Sequence, residues 1–292
     1  MSLLRYGEAT PDAGQIANIQ GALRAFMVDG KTHYIVFANE KGGTGKSTTA
    51  VHTAVALAAT GYSVAAIDLD TRQKTLTRYL DNREATVRRR KIELPSPVHV
   101  TLGLLTPAGL DQEIARIGRN ADFVIIDTPG RDDPVSRAAI AKADTIVTPI
   151  NDSFVDLDLI GQVDAETFRV KKPSFYAELI WDLRKVRAQS DGASVDWVVL
   201  RNRLQHIEAN NMRRVGKALD ELSKRVGFRT ISGLGERVIY RELFPKGLTL
   251  LDVEAIGGIG ISHIAARQEL REMVAGFALP ERESLQAELE FG

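Results

Sequence analysis

A glycine-rich loop constrains this chain more than any other stretch. Residues 39–48 read Asn-Glu-Lys-Gly-Gly-Thr-Gly-Lys-Ser-Thr, after an apolar run from Tyr34 to Ala38 and before an alanine-rich segment from Thr49 to Ala59. This order predicts a strand, a loop and a helix. Such a loop directs its backbone N–H groups and the helix N-terminus towards a polyphosphate. The sequence therefore predicts a site for the phosphates of a nucleotide.

Two lysines in this loop are expected to have different roles. Lys46 is placed to reach the β- and γ-phosphates, and the hydroxyl of Ser47 is placed to bind Mg²⁺. The common form of the motif has glycine where this chain has Glu40, and a second lysine, Lys41, begins the glycine run. Taken alone, Lys41 also fits a solvated loop lysine. The residues expected to bind the nucleotide in this loop are Gly42, Gly43, Thr44, Gly45, Lys46, Ser47 and Thr48.

Composition excludes several classes of site. The chain has 292 residues, no cysteine and 38 basic against 38 acidic residues. The lack of cysteine excludes disulfides, cysteine-bound zinc and cysteine-held iron–sulfur clusters, and it fits a reducing cytoplasm. No apolar run approaches the roughly 20 residues of a membrane helix. The first residues do not resemble a signal peptide. We therefore expect a cytoplasmic protein.

From residue 34 the pattern alternates between strands and helices. The strands are short and nearly all apolar, which is typical of a parallel sheet buried on both faces. The sequence predicts an α/β fold with one doubly wound, mostly parallel sheet and helices on both faces. Predicted strands lie at 34–39, 63–68, 98–102, 122–127, 144–149, 195–200 and 228–232, and predicted helices at 47–60, 71–90, 108–119, 134–142, 155–170, 208–226, 236–244 and 262–278.

We predict one domain with an extension at each end. Residues 1–31 form an N-terminal extension with helical spacing of apolar residues at about 13–28, and residues 32–279 form the single domain. Residues 280–292 form an acidic tail with four glutamates. Such a tail would be repelled by anionic lipid, so no membrane anchor is expected there.

Three aspartates follow predicted strands, where ligands of doubly wound sheets bind. Asp127 ends a strand downstream of the glycine loop, as expected of a carboxylate that holds Mg²⁺. Of Asp68 and Asp70, one is expected to support the metal and the other to orient the attacking water. Asp70 also fits a helix N-cap with Gln73 three residues on. Residues 128–130, Thr-Pro-Gly, fit either a switch that senses the γ-phosphate or an ordinary turn.

Taken together, these motifs resemble those of the ParA/MinD family of dimerising ATPases. The resemblance is greatest to the members that position the division site, over about residues 33–278. It is carried by residues 41–48, 68–70 and 127–130 and, more specifically, by the strings 151–156 (Asn-Asp-Ser-Phe-Val-Asp), 196–203 (Asp-Trp-Val-Val-Leu-Arg-Asn-Arg) and 237–245 (Arg-Val-Ile-Tyr-Arg-Glu-Leu-Phe-Pro).

This resemblance implies roles for particular residues in a nucleotide sandwich dimer. Lys41 would reach into the partner subunit and touch its phosphates, as an arginine finger does. Asp70 would position the attacking water, and Asn202 would bind adenine, although Asn202 alone also fits a polar loop residue. The implied catalytic set is Lys41, Lys46 and Asp70, and the implied metal-binding set is Ser47, Asp68 and Asp127.

Positive charge is concentrated between Arg201 and Arg241, with ten basic against four acidic residues in a neutral chain. Part of it shares one helix face, which would bind DNA phosphates without reading bases. Charge alone fits a solvated helix face equally well. The resemblance favours DNA, because two subunits of a dimer would join their patches. The predicted DNA-binding residues are Arg213, Arg214, Lys217, Lys224, Arg237 and Arg241.

Taken as a whole, the resemblance implies an ATP- and Mg²⁺-dependent switch. The ATP-bound homodimer would bind chromosomal DNA non-specifically, inhibit FtsZ polymerisation, be recruited by ParB and lie on the nucleoid and near the cell poles. Slow hydrolysis would return it to monomers. Two alternatives remain at this stage: a ParA-type partition ATPase for a chromosome or plasmid, and a metabolic P-loop enzyme of the same fold.

Overall fold

A seven-stranded parallel sheet forms the centre of the computed structural model. The structure describes residues 31–151, 154–164, 167, 169–202, 209–252, 257 and 261–281. The strands of the sheet are β1 (His33–Phe37), β2 (Val64–Asp68), β3 (Val98–Thr101), β4 (Phe123–Asp127), β5 (Thr145–Asn151), β8 (Asp196–Asn202) and β9 (Arg229–Ser232). A separate antiparallel hairpin joins β6 (Gly161–Val163) and β7 (Val170–Pro173).

The order of strands across the sheet is β3-β2-β4-β1-β5-β8-β9, and every neighbouring pair is parallel. The helices are α1 (Lys46–Ala59), α2 (Thr75–Arg90), α3 (Pro107–Glu113, continued by a π turn to Gly118), α4 (Pro134–Lys142), α5 (Phe154–Leu157), α6 (Phe175–Asp191), α7 (Ala209–Val226), α8 (Ile239–Leu243, followed by a 3₁₀ turn to Lys246) and α9 (Ile261–Gly276).

Two apolar layers enclose the sheet. Alternate residues of β1 face opposite sides, so Ile35 and Phe37 belong to one buried cluster and Val36 to the other. The first cluster contains side chains of α1, α2, α8 and α9, and the second contains side chains of α3, α4, α6 and α7. The predicted doubly wound α/β fold is therefore confirmed, and all seven predicted strands are present within three residues of their expected ends.

Strand register brings the predicted site residues to one edge of the sheet. Asp68 pairs with Asp127 across β2 and β4, and Phe37 pairs with Asp127 across β1 and β4. The glycine loop begins directly after β1. The loop and the two aspartates therefore meet at the carboxyl ends of adjacent strands, where the fold places ligands.

The predicted helix at 155–170 is wrong. The segment forms only the short α5, then turns into the β6–β7 hairpin. Gly161 lies at a close approach in this hairpin, because a Cβ atom there would lie 2.4 Å from a methyl group of Leu222 on α7 and 3.1 Å from the carbonyl oxygen of Lys172 on the facing strand. Asp164 then closes the hairpin by accepting hydrogen bonds from the backbone N–H and hydroxyl of Thr167.

Helix α6 was not predicted from the sequence. Its signals are nevertheless present, because Ser174 caps the helix by accepting a hydrogen bond from the N–H of Ala177 at 3.1 Å. Gly192 ends the helix in the left-handed region, at φ +71°. A second correction concerns α2, which begins at Thr75 and not at residue 71.

Predictions for the chain ends lie largely outside the described residues. Residues 1–30, which include the predicted N-terminal helix, and residues 282–292 of the predicted acidic tail are not described. The domain boundaries at 31 and 279 thus stay predictions. Among the described helices, none combines the length and the apolar character needed to cross a bilayer.

Candidate nucleotide-binding site

The glycine loop has the backbone shape that its sequence predicts. Gly43 and Gly45 lie in the left-handed region, at φ +77° and +92°, which side chains other than glycine rarely adopt. Gly45 is the N-cap residue of α1, and its carbonyl accepts the N–H of Thr49 at 2.9 Å. The first N–H groups of α1 therefore remain available to a ligand, as at other anion-binding helix ends.

Lys46, the first residue of α1, lies inside this loop. Its side chain is buried, and its ammonium donates a hydrogen bond to the carbonyl of Lys41 at 2.8 Å. Burial lowers the pKa of Lys46, while the nearby carboxylates of Asp127 and Asp70 raise it. A phosphate in the loop would supply the negative charge that this buried cation needs.

Asp127, at the end of β4, is a buried carboxylate, and the nearby Ser47 hydroxyl does not reach good hydrogen-bond geometry with it. Asp127 is 0 % exposed, and neither of its oxygens has a hydrogen-bond partner of good geometry. Burial and then the charge of Asp68 raise the pKa of Asp127 to about 8, while the Ser47 hydroxyl and Lys46 lower it. Two unsatisfied oxygens beside a hydroxyl are what Mg²⁺ bound to a nucleotide requires from a protein. Ser47 and Asp127 therefore fit the predicted metal site.

Asp68, at the end of β2, is occupied by the loop that follows it. One carboxylate oxygen accepts the N–H of Asp70 at 2.9 Å, and the other accepts the N–H of Thr77 on α2 at 3.0 Å. Burial raises the pKa of Asp68, and these two hydrogen bonds oppose the shift. The charge of Asp68 thus acts on Asp127 in the predicted metal site, and the hydrogen bond that Thr77 donates to Asp68 fixes the position of α2. We call residues 39–48 with Asp68, Asp70 and Asp127 the phosphate site.

Asp70 forms the capping hydrogen bonds that the sequence offered as its alternative role. One oxygen accepts the N–H of Arg72 at 3.2 Å and the N–H of Gln73 at 3.1 Å. These bonds close a turn, and α2 begins only afterwards at Thr75. The Asp70 side chain is half-buried and close enough to Lys46 to raise its pKa. Capping of this turn leaves the other oxygen of Asp70 for a catalytic role, which stays a prediction.

Residues 128–130 pack directly on the glycine loop. The hydroxyl and N–H of Thr128 both donate to the carbonyl of Phe37, at 3.0 and 3.1 Å. A Cβ atom on Gly130 would lie 3.0 Å from the nitrogen of Gly42. Only glycine allows this approach without displacement of the loop. The turn after Asp127 therefore contacts the loop itself, and its role as a switch that senses the γ-phosphate stays a prediction.

Lys41 forms an ion pair that the sequence analysis did not predict. Its ammonium lies 2.5 Å from the carboxylate of Asp156 on α5, with 38 % of the Lys41 side chain and 8 % of the Asp156 side chain exposed. Asp156 also accepts the N–H of Asn151 at 3.0 Å. The Lys41 backbone N–H donates to Asn39, whose amide donates to the carbonyl of Pro149. The only sequence signal for Asp156 was its place in the string 151–156.

Asn202 ends β8 beside the glycine loop, with both ends of its amide engaged. The nitrogen donates to the carbonyl of Thr44 at 2.9 Å, and the oxygen accepts the N–H of Leu234 at 3.0 Å. Gly45 and Gly233 are both close to it, since a Cβ atom at either would lie within 2.7 Å of this amide. Asn202 therefore connects the loop to the segment after β9. Its role in binding adenine stays a prediction.

The remaining predicted loop residues differ in exposure. Gly42 and Gly43 are exposed at the mouth of the loop, whereas Ser47 and Thr48 are half-buried on α1. Thr44 is buried, and its hydroxyl has no hydrogen-bond partner. A cavity of about 270 Å³ lies after β9, next to the segment that Asn202 holds; its lining includes Gly233, Gly235, Arg237 and Glu269. No sequence pattern predicted this cavity.

The predicted DNA-binding residues are distributed over what we call the basic edge, namely α7, β9 and the chain from Gly233 to Leu243. Lys217 and Lys224 are exposed and lie two turns apart on α7. Arg213 and Arg214 also belong to α7, but their side chains lie outside the described part of the chain. Arg241 is 76 % exposed and lies 3.4 Å from Glu236.

Arg237 differs from the other predicted DNA-binding residues. Its guanidinium forms two hydrogen bonds with the carboxylate of Glu269 on α9, and these contacts raise the pKa of Arg237. The same carboxylate accepts the N–H of Gly235 at 3.1 Å. Arg237 thus already has a structural partner, which the local sequence did not indicate because Glu269 lies 32 residues away.

Solved structures of low sequence identity share the fold. An ATP complex of McdA from Cyanothece aligns with a TM-score of 0.58 and 15% identity over 87% of this chain and 98% of that one. The MinC:MinD cell division protein complex from Aquifex aeolicus aligns with a TM-score of 0.55 and 16% identity over 86% of this chain and 99% of that one. At such identities the similarity concerns the fold alone.

Sequence comparison gives the family. The septum site-determining protein MinD of Helicobacter pylori is 29% identical over 164 residues, which span 47% of this chain and 61% of that protein. The family model described as ATPase MipZ matches residues 33–281. The predicted resemblance to the ParA/MinD family, nearest to its division-site members, is thereby confirmed. The chain belongs to the ATPase MipZ family.

Proposed function

We propose that this chain is an ATP-dependent dimerising switch that binds DNA without sequence preference and regulates the position of the division ring by inhibiting FtsZ polymerisation. One arrangement carries the proposal: two lysines share one glycine loop but have different partners. The buried Lys46 ammonium reaches the carbonyl of Lys41, while the half-exposed Lys41 ammonium reaches Asp156. The inner lysine serves the subunit's own phosphates, and the outer one serves the partner's phosphates after it leaves Asp156.

ATP binding follows from the phosphate site. The N–H groups of the loop and the Lys46 ammonium would bind the β- and γ-phosphates, and Asn202 with the segment after β9 would contact the base. Ser47 and Asp127 would hold Mg²⁺, supported by the charge of Asp68, and a metal ion there would neutralise charge on the phosphates. The two unpartnered oxygens of the buried Asp127 support this assignment.

Hydrolysis needs a water placed against the γ-phosphate and a cation for the charge that develops there. Asp70 uses one oxygen to close its turn and has a second for the water. The Lys41 ammonium of the partner subunit supplies the cation. A lone subunit therefore has an incomplete site, so dimerisation and hydrolysis depend on each other. Hydrolysis then removes the phosphate that holds the two subunits together.

Partners follow from family membership and from the basic edge. Exposed lysines on α7 would bind DNA phosphates weakly in one subunit and strongly in a dimer that presents both patches. The MipZ membership supports FtsZ as the inhibited polymer and ParB as the recruiting protein. A protein with these partners would lie on the nucleoid and near the cell poles.

The test measures mass and FtsZ polymer together. Mass photometry with a slowly hydrolysed ATP analogue, with and without DNA, should show dimers only when the analogue is present. Pelleting of FtsZ filaments should decrease with wild-type protein and ATP. The matched variants are Lys41→Ala, which should stay monomeric, and Asp70→Ala, which should accumulate as an ATP-bound dimer.

Each outcome decides a different part of the proposal. Monomers of wild-type protein at every nucleotide condition would refute the switch. Dimers that bind DNA but leave FtsZ pelleting unchanged would refute the division-ring role and favour a partition ATPase. Dimers of normal strength in Lys41→Ala would refute the role of Lys41 in the partner subunit.

A further inference from the structure

The guanidinium of Arg83, in the middle of α2, is completely buried and fully hydrogen-bonded. It is 0 % exposed and forms two parallel bonds to the carboxylate of Asp252, at 2.7 and 2.8 Å. Its other N–H groups donate to the carbonyls of Pro95 and Gly247 and to the hydroxyl of Ser96. An arginine so buried costs free energy unless all its donors are paired, as they are here.

Asp252 belongs to a segment, Phe244–Asp252, that follows α8 and lies along α2. A Cβ atom on Gly247 would lie 1.9 Å from the backbone nitrogen of Arg83, so the two backbones touch. Three more side chains of α2 donate to carbonyls of this segment: Tyr79 to Leu248 at 2.6 Å, Asn82 to Phe244 at 3.1 Å and Thr86 to Lys246 at 2.8 Å. The segment therefore fixes α2 along about two helical turns.

The first turn of α2 is connected to the phosphate site. The N–H of Thr77 donates to Asp68, which also accepts the N–H of Asp70. The carbonyl of Asp70 accepts the N–H of Lys74, directly before α2. Thr77 lies six residues before Arg83, roughly 9 Å along the helix axis. A shift of α2 would thus move the loop that carries Asp68 and Asp70.

We propose that Arg83 and Asp252 are positioning residues for Asp70: their buried ion pair holds α2 where the loop 69–74 presents Asp70 to the γ-phosphate. The proposal deepens the proposed ATP hydrolysis and rests on it. A buried ion pair is a weak source of stability compared with packed apolar side chains, but it fixes one geometry, because only one register satisfies both groups. The phosphate site needs such precision, since small displacements of catalytic groups reduce the rate strongly.

The test compares two buried arginine pairs in the same protein. Arg83→Met/Asp252→Asn removes the proposed positioning pair without leaving a lone charge. The control is Arg187→Met/Asp144→Asn, because Arg187 on α6 is also buried and bonds Asp144 at 2.8 Å, but on the opposite layer. We expect kcat for ATP to fall about tenfold or more in the first double variant. KM should change less than about threefold, because Lys46 and the glycine loop are untouched. The control should keep kcat within about twofold.

A second readout needs no ATP hydrolysis. Arg72 and Lys74 are exposed in the loop before α2, so trypsin cleaves there when the loop opens. Without nucleotide, cleavage at these sites should be faster in Arg83→Met/Asp252→Asn than in the control. If the wild-type protein hydrolyses no ATP, the proposed function fails, and the cleavage rates still test the link between Arg83 and the loop.

Two results would overturn the proposal. One is equal loss of kcat in both double variants, which indicates a general loss of stability. The other is an unchanged rate of cleavage at Arg72 and Lys74. Should the double variant fail to fold, Arg83→Lys keeps the charge and loses the paired geometry. The same changes in kcat and cleavage are then expected, and their absence contradicts the positioning role.

Discussion

The phosphate site and the basic edge both concentrate charge, yet their charged side chains are in opposite situations. In the phosphate site, Lys46, Asp68 and Asp127 are buried, and Asp127 has no hydrogen-bond partner for either oxygen. At the basic edge, Lys217 and Lys224 are exposed, while Arg237 is already paired with Glu269. Buried charge without a partner is costly and indicates a ligand. Exposed or paired charge is ordinary on a protein surface, so DNA binding has weaker support.

The largest effect should come from Asp127→Asn. We expect ATP hydrolysis to fall by about 100-fold or more, because the amide cannot replace a carboxylate as a metal ligand beside the phosphates. Without ligand, however, the variant should be more stable than wild type at pH 8. In the folded protein the pKa of Asp127 is about 8, whereas an unfolded aspartate has a pKa of about 3.9. Between these two pH values the unfolded chain has lost the proton and the folded protein still carries it, so wild-type stability falls as pH rises from about 4 to about 8.

Steady-state ATP turnover and chemical denaturation at pH 6 and pH 8 check both parts of this expectation. A similar charge-removing change at the basic edge, Glu221→Gln, should change neither turnover nor stability much, because its partner Arg225 is exposed. If Asp127→Asn proved less stable than wild type at pH 8, the buried, unpartnered carboxylate would not destabilise the folded protein. The phosphate site would then not differ from the basic edge in this respect.

Lys41 shares features of both regions, because it belongs to the phosphate site but is partly exposed and paired within the monomer. Asp156→Asn should weaken that ion pair and keep the hydrogen bond from the N–H of Asn151. We expect the ATP-bound dimer to form at a concentration about threefold to tenfold lower, because Lys41 leaves its own subunit more easily. Sedimentation velocity over a concentration series measures this shift. Unchanged or weaker dimerisation in Asp156→Asn would mean that the pair does not compete with the partner subunit.

The phosphate site was largely predictable from sequence, for a physical reason. Its loop, Asp68 and Asp127 are placed by local patterns, namely a glycine run and apolar strands that end in a carboxylate, and a parallel sheet then brings those ends together. The contacts that complete it were not predictable. Asp156 meets Lys41, and Asp252 meets Arg83, across 115 and 169 residues, and no local pattern encodes such distances.

The connection between β5 and β8 shows the same limit within the fold. Apolar residues from 155 to 170 fit a helix by spacing, but the chain forms a hairpin in which Gly161 packs against Leu222. That partner lies on a helix further along the chain. The cap at Ser174 is a local signal for α6, so this helix, unlike the hairpin, was predictable from its own residues. Local signals thus sufficed where a segment's structure depends on itself, and failed where it depends on a distant neighbour.

At the basic edge the exposed lysines should matter more than the paired arginine. Lys217→Ala/Lys224→Ala should weaken DNA binding of the ATP-bound dimer by about tenfold. The slope of the logarithm of the affinity against the logarithm of the salt concentration should decrease in magnitude by about one for each lost phosphate contact. Arg237→Ala should weaken binding by less than about threefold, because Glu269 already neutralises the guanidinium. Glu269→Gln is the matched converse and should strengthen binding.

Fluorescence anisotropy with a DNA duplex of arbitrary sequence, at several salt concentrations, measures these affinities. A larger loss in Arg237→Ala than in the lysine double variant would mean that the ion pair opens on DNA. Equal affinities for all three variants and wild type would mean that the basic edge is a solvated surface. Of the two regions, only the phosphate site would then bind a ligand through its charged residues.

His52 is buried but is not one of the predicted ligand-binding residues, so it tests the effect of burial alone. At neutral pH we expect its substitution to have the smallest effect among these predictions. It lies on α1 behind the glycine loop and is 0 % exposed, with its ring 5.8 Å from that of Tyr79 and 5.3 Å from that of Tyr240. Nδ1 bonds the carbonyl of Thr48, and Nε2 has no partner. Burial lowers the pKa of His52 to about 4, against the opposing effect of the Thr48 carbonyl.

The sign of the pH effect follows from this lowered pKa. The unfolded chain takes up the His52 proton near pH 6.5, and the folded chain does so only near pH 4, so stability is lost as pH falls between these values. The loss amounts to about 3 kcal/mol by pH 4. His52→Phe keeps a ring between the tyrosines and cannot protonate, so its unfolding free energy should fall less steeply than that of wild type. Urea denaturation from pH 7 to pH 4 measures both curves. Parallel curves would show that the pKa of His52 is the same in the folded and unfolded chain. Burial alone would then not shift the pKa of a group beside the phosphate site.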